Sequence, residues 1–207
     1  MDFLDDPRAI EAKSFSIIEQ YLAGMSLGPG EKAVVSRVIH TTGDPEYAGL
    51  VRIHPDAIEA GVRVIRGGGN VFTDVKMVKY GINTRILERF GGKIHCLIDD
   101  ESVAERARKA GTTRASMAVR VMAERTDFDG WIVAVGNAPT ALFALHDLIR
   151  NGRVRPSLVV GTAVGFVGAR EAKEAIEQTG VPYVTIQGAR GGSTLAAAIV
   201  NALLLMA

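Results

Sequence analysis

A three-layer α/β/α sandwich around a five-stranded parallel sheet is the fold that the 207-residue sequence predicts. Three observations carry this expectation. From Asn70 onward, short apolar runs alternate with helical stretches, the rhythm of buried parallel strands joined by crossover helices. Hydrophobic residues make up 47% and charged residues 23%, an ordinary globular balance with enough volume for a core. No internal repeat, low-complexity tract or long linker interrupts the chain, and the most loop-like interior stretch, Arg125 to Gly130, suits an ordinary connection. Residues 1–207 therefore read as one domain.

In chain order, Asp6-Pro7 followed by Ile10, Phe15, Ile17, Ile18, Tyr21 and Leu22 predicts a first helix with proline near its first turn. Leu27-Gly28-Pro29-Gly30 breaks the chain, and Glu31 opens a second helix whose Val34, Val35, Val38 and Ile39 recur at three- and four-residue spacing. That helix stops at Thr41-Thr42-Gly43-Asp44-Pro45, where glycine permits a left-handed stop and proline disfavours helical geometry in the residue before it. His54-Pro55-Asp56 begins a third helix through about Ile65, ended by Gly67-Gly68-Gly69. This glycine run precedes a strand rather than following one, so it is a turn and not a phosphate loop.

The predicted strands are Val71 to Asp74, Lys93 to Ile98, Trp131 to Val135, Ser157 to Val160 and Tyr183 to Ile186. Helices follow them to about Phe90, over Asp100 to Ala110, Pro139 to Ile149 and Gly168 to Gln178, and from Ser193 to the end. The last stretch is apolar but contains Asn201 and falls short of the roughly 18 to 20 residues a membrane span requires, so it is expected to be a buried helix.

Lys+Arg 24 against Asp+Glu 23 leaves a net charge of +1, which gives no bulk attraction to nucleic acid or an anionic membrane. Cys96 is the single cysteine, so no intrachain disulfide forms, and its apolar setting suggests a buried thiol in a reducing compartment. The acidic start without an apolar h-region points to the cytoplasm. His40, His54, His95 and His146 are scattered and make no ligand set, so no protein-held metal is expected.

Candidate chemistry begins at His40. It falls in a last helical turn, where the helix dipole favours imidazolium, and Arg37 is its neighbour on the helix surface. Together they suit proton donation to an anionic substrate; alternatively, His40 caps its own helix and Arg37 is solvated. In an open parallel sheet ligands sit beyond the carboxyl ends of the strands, which directs attention to the loops. These supply Asp74, then Asn137 as a helix cap before Pro139, then the glycine-rich loop of Gly165, whose Val164, Phe166 and Val167 offer an apolar wall. Arg190, Gly191 and Ser193 lead into a helix N-terminus suited to a carboxylate, as do Arg114 and Ser116. Thr41 is included by its place beside His40. Several such groups favour a flat ligand with many carboxylates; each alone is also explained as a helix cap with a solvated arginine.

VIHTTGDPEYAGLVRIHPDAIEAG, from Val38 to Gly61, resembles the signature of the precorrin-8X methylmutases, also called cobalt-precorrin-8 methylmutases, of corrinoid biosynthesis. Four blocks follow in the same order: FTDVKMVKYGIN from Phe72, AVGNAPTALF from Ala134, VVGTAVGFVGAREAKE from Val159 and GARGGSTLAAAIVNALL from Gly188. The resemblance implies an isomerase that moves a methyl group between neighbouring ring C carbons of a polycarboxylated tetrapyrrole substrate, giving a corrin product. It further implies no cofactor, a homodimer, His40 as the proton donor, and Ser14 and Arg37 as substrate contacts. A corrinoid carrier without chemistry, or a phosphate-binding α/β protein, are the other readings.

Overall fold

The computed structural model describes residues 4–207. Its first two helices are α1 (Pro7–Tyr21) and α2 (Pro29–Thr42), followed by a 3-10 turn over Pro45–Gly49, strand β1 (Val51–Ile53) and helix α3 (Ala57–Arg66). The alternating part comprises β2 (Val71–Thr73), α4 (Lys76–Gly81), α5 (Thr84–Arg89), β3 (Ile94–His95), α6 (Glu101–Lys109) and α7 (Arg114–Ala123). It continues with β4 (Ile132–Val135), α8 (Pro139–Arg150), β5 (Leu158–Gly161), α9 (Ala169–Glu177), β6 (Tyr183–Ile186) and α10 (Ser193–Met206).

Among the described residues the sheet has six strands, in the order β1-β6-β5-β4-β2-β3. The five expected strands pair in parallel, and β1 adds an antiparallel edge to β6 with Val51 opposite Ile186. The expectation of five strands, all parallel, is corrected on both counts. β1 is three residues long, contains Arg52 and pairs only with a segment far along the chain, so no local pattern marks it.

Alternation along the strands sorts the core into two faces. Ile132, Ala134, Leu158, Val160, Val184 and Ile186 pack with α1, α2, α3, α4, α5 and α10. Val133, Val135 and Val159 point the other way, towards α6, α7, α8 and α9. The three layers are thus present. Helix α10 is central to the first face, with Leu195, Ala196, Ile199, Val200 and Leu203 at most 1% exposed. Its apolar character is accounted for by burial within its own chain.

Two strand neighbours reverse the winding. The crossover from β2 to β3 lies on the α10 face, and that from β3 to β4, through α6 and α7, lies on the other. The winding therefore switches between the paired strands β2 and β4, where doubly wound folds leave a crevice beyond the strand ends.

Candidate active site

Helices α1 and α2 end their packing in a small polar and aromatic cluster. The Ser14 hydroxyl lies 2.9 Å from His40 Nδ1, and the Phe15 ring stacks on the imidazole at 5.1 Å with an interplanar angle of 16°. Arg37 places its guanidinium 4.7 Å from the Phe15 ring centre and donates to Glu11 at 3.0 Å. The local sequence accounts for this: Val34, Val35, Val38 and Ile39 are buried, so Arg37 and His40 fall at the margin of that stripe, facing α1. Gly43 ends α2 in the left-handed region at φ 66°, as the sequence predicts.

With Nδ1 engaged by Ser14, Nε2 is the ring nitrogen available to a bound molecule. His40 lines a cavity of about 400 Å³ with Arg37, Thr41, Met77, Asn83 and Asn201. Thr194, in the first turn of α10, also borders it. A shallower hollow of about 830 Å³ between α1 and α2 shares Arg37 with it and is bordered by Glu11 and Phe15. The Thr41 hydroxyl is already committed to the Arg37 carbonyl at 2.8 Å.

Asp74 occupies the crevice between β2 and β4. It is fully buried, and its carboxylate accepts from the backbone N–H groups of Gly136, Asn137 and Ala138 at 3.0, 2.9 and 2.8 Å. Burial pushes its carboxyl above the ordinary value, against the downward pull of those N–H groups. The carboxylate thus stitches the loop after β4 to the end of β2 instead of facing a ligand. That same stitch displaces the expected cap: Ala138, not Asn137, is the N-cap of α8, and the Asn137 side chain is exposed.

The loops after β5 and β6 are laced together. Gly192 N–H donates to the Thr162 carbonyl at 2.7 Å, the Thr162 hydroxyl returns a bond to the Gly192 carbonyl, and Gly165 N–H donates to Ala189. Gly191, at φ 156°, must be glycine, because a Cβ there would sit 2.2 Å from the Thr162 carbonyl oxygen. Arg190 reaches back to Asp44 at 3.3 Å and Glu46 at 2.8 Å and lies over Tyr47, so its guanidinium is paired rather than free. The pair with Glu46 raises it above its ordinary value. Ser193 is buried at the start of α10, with its Cα where a Cβ on Gly136 would collide.

Arg114 is exposed at the start of α7 beneath its Thr113 cap, and Ser116 is buried there, its N–H donating to the Thr113 hydroxyl. Thr113 meets Thr140 at 2.7 Å, which sets this helix start beside that of α8 and Asn137. Ser14, Arg37, His40 and Thr41 are thus brought together. Arg190, Gly191 and Ser193 are joined to them through Asp44 and Glu46, and Arg114, Ser116 and Asn137 form a separate group. Sequence reasoning places Phe15 only on the apolar face of the first helix and does not single out Glu11; their i,i+4 spacing, which puts both on one face of α1 against Arg37, is the signal that could have found them. The apolar loop at Gly165 stands outward, with Phe166 99% and Val167 90% exposed. Cys96 is half-buried. Among the described residues no group of three or more acidic, histidine or cysteine side chains could hold a metal ion, and no helix is long and apolar enough to cross a membrane.

The family model described as precorrin-8X methylmutase matches residues 9–206. A cobalt-precorrin-8 methylmutase of Priestia megaterium is 42% identical, over 97% of this chain and 88% of its own. One of the same name from Leptospira interrogans is 40% identical, over 96% and 93%. The crystal structure of a precorrin-8X methyl mutase from Thermus thermophilus superposes with a TM-score of 0.89 at 43% identity, covering 96% of this chain and 95% of that one. With a near full-length family match, named relatives at this identity and a shared fold, the chain belongs to the precorrin-8X methylmutase family, isomerases of cobalamin biosynthesis.

Proposed function

We propose that this protein rearranges precorrin-8X, or its cobalt form, by moving a methyl group between adjacent ring C carbons, giving hydrogenobyrinic or cobyrinic acid. The observation that carries the reading is the Ser14–His40 pair at the rim of the His40 cavity. Ser14 holds Nδ1, so His40 presents Nε2 to the macrocycle and donates a proton or hydrogen bond as the methyl group migrates. Protonation draws electron density from the conjugated ring. Substrate and product are isomers, so the proton returns, and one histidine serves both directions. Phe15 fixes the imidazole plane, and its contact with Arg37 holds positive charge near the substrate's acidic edge.

Substrate carboxylates are met by Arg37, Arg114 and the Arg190 to Ser193 loop. Arg190 would then exchange the well-exposed Glu46 for a substrate carboxylate, or use its remaining N–H groups. No cofactor is required. The protein acts in the cytoplasm as a single domain, without nucleic acid or membrane partners, and as a homodimer. The dimer is supported by the outward Phe166 and Val167, and by a cavity of about 400 Å³, which encloses only part of a macrocycle.

The test is turnover of the metal-free and cobalt substrates by wild type and His40→Ala, followed by visible absorption. We expect the variant to lose at least about a hundredfold in rate while still binding product. A variant that turns over at the wild-type rate removes His40 as the acid, and a wild type that leaves the ligand spectrum in its starting isomer class is a carrier.

A further inference from the structure

One buried charge has no part in the chemistry above. Lys173, on α9, is 1% exposed, and its Nζ donates to the carbonyl of Arg190 at 2.7 Å. Burying an ammonium is costly, and a backbone carbonyl can be satisfied by any N–H or hydroxyl, so the bond calls for a reason specific to this place. The segment it holds turns on glycines and is fixed by a few discrete bonds, of which this is the one made to the Arg190 main chain. Gly188, Gly191 and Gly192 all take positive φ, at 74°, 156° and 131°, leaving Ala189 and Arg190 between three backbone pivots. Gly192 is tied to Thr162 and Ala189 to Gly165, and the Arg190 main chain is tied to Lys173.

From the other side, the Arg190 guanidinium grips Asp44 and Glu46, in the turn that follows His40. Lys173 therefore stands at the end of a continuous linkage: α9, the Arg190 carbonyl, the Arg190 guanidinium, and the segment just beyond the end of α2.

We propose that Lys173 is a positioning residue, which pins the Arg190 carbonyl so that the loop from Gly188 to Ser193 is held in the shape that receives a substrate carboxylate and stays in register with the His40 helix. The proposal rests on the methylmutase reading for its substrate, but the anchoring itself is measurable without turnover. Lys173 touches neither the cavity nor His40, so its effect falls on binding more than on the chemical step.

The experiment compares wild type with Lys173→Met, which keeps the chain's bulk and removes the donor. Two quantities are read: hydrogen–deuterium exchange of the amides of residues 188–195 in the free protein, and KM and kcat for the tetrapyrrole substrate. We expect exchange in that segment to accelerate about tenfold while the α8 amides keep their protection, and KM to rise about tenfold with kcat changed less than about threefold. Unchanged exchange in residues 188–195, or a fall in kcat without a rise in KM, overturns the proposal. Wild-type protein without turnover defeats the methylmutase reading instead, and exchange then decides the anchoring alone. Should Lys173→Met not fold, Lys173→Leu, which likewise lacks the donor, is judged by the same two measurements.

Discussion

At the scale of single residues, Lys173 also leaves a thermodynamic signature. Burial holds its ammonium down to about 8, with Glu177 opposing the fall only in part, whereas the unfolded chain titrates near 10.5. Between these values the unfolded state binds more protons, so stability contributed by this group rises as pH rises through that window. Below pH 8 both states are protonated and the full penalty, up to about 3 kcal/mol, is present. Urea melts of wild type and Lys173→Met should therefore diverge between pH 7.5 and 10, in favour of wild type. A difference that stays flat over this range would mean that the ammonium is better solvated than its position implies. The neutral amine still donates to the Arg190 carbonyl, so the anchor survives the titration. That Arg37 and His40 sit side by side was legible from their spacing on one helix, whereas Ser14 entered only through the family resemblance, and its contact with His40 joins residues 26 apart. The sequence did not make Arg190's pairing visible, since Asp44 and Glu46 lie 146 and 144 residues away.

At the scale of elements, the five parallel strands were legible because each is a short apolar run bounded by turn residues, and the structure pairs all five. The stretch to Phe90 was legible as helical but not as two helices; Ile82 is extended after α4, and the Asn83 side chain caps α5. The join between them is fixed by Asn201 of α10, whose Oδ1 accepts from Asn83 N–H and whose Nδ2 donates to the Gly81 carbonyl, each at 2.8 Å. This explains a polar residue within an otherwise apolar helix, and it shapes the wall of the His40 cavity. Asn201→Leu leaves both backbone groups without that partner and should cost about 2 kcal/mol, measured by denaturant unfolding. The same variant should weaken product binding, since Gly81 and Asn83 border the cavity. If neither stability nor binding changes, the two bonds are replaceable by water.

At the scale of the whole molecule, the apolar final helix is spent inside the chain, so an argument for association must rest on other surface. In the proposed dimer the exposed Phe166 and Val167 supply it, on a loop whose Gly165 and Gly168 both take positive φ. Phe166→Asp should shift the particle from dimer to monomer in light scattering at micromolar concentration, without changing the circular dichroism of the fold. A mass that does not move places the contact elsewhere. How the molecule closes its sheet bears on the same question. One rim is a three-residue strand running against its neighbour, and the other, β3, is two residues long. Neither rim presents a long row of open peptide groups on which a second chain could grow. Folded chains, even crowded, are therefore poor templates for ribbon-like stacking, and the proposed pairing of two copies is left to side chains, which set a fixed stoichiometry where a bare strand edge would go on adding.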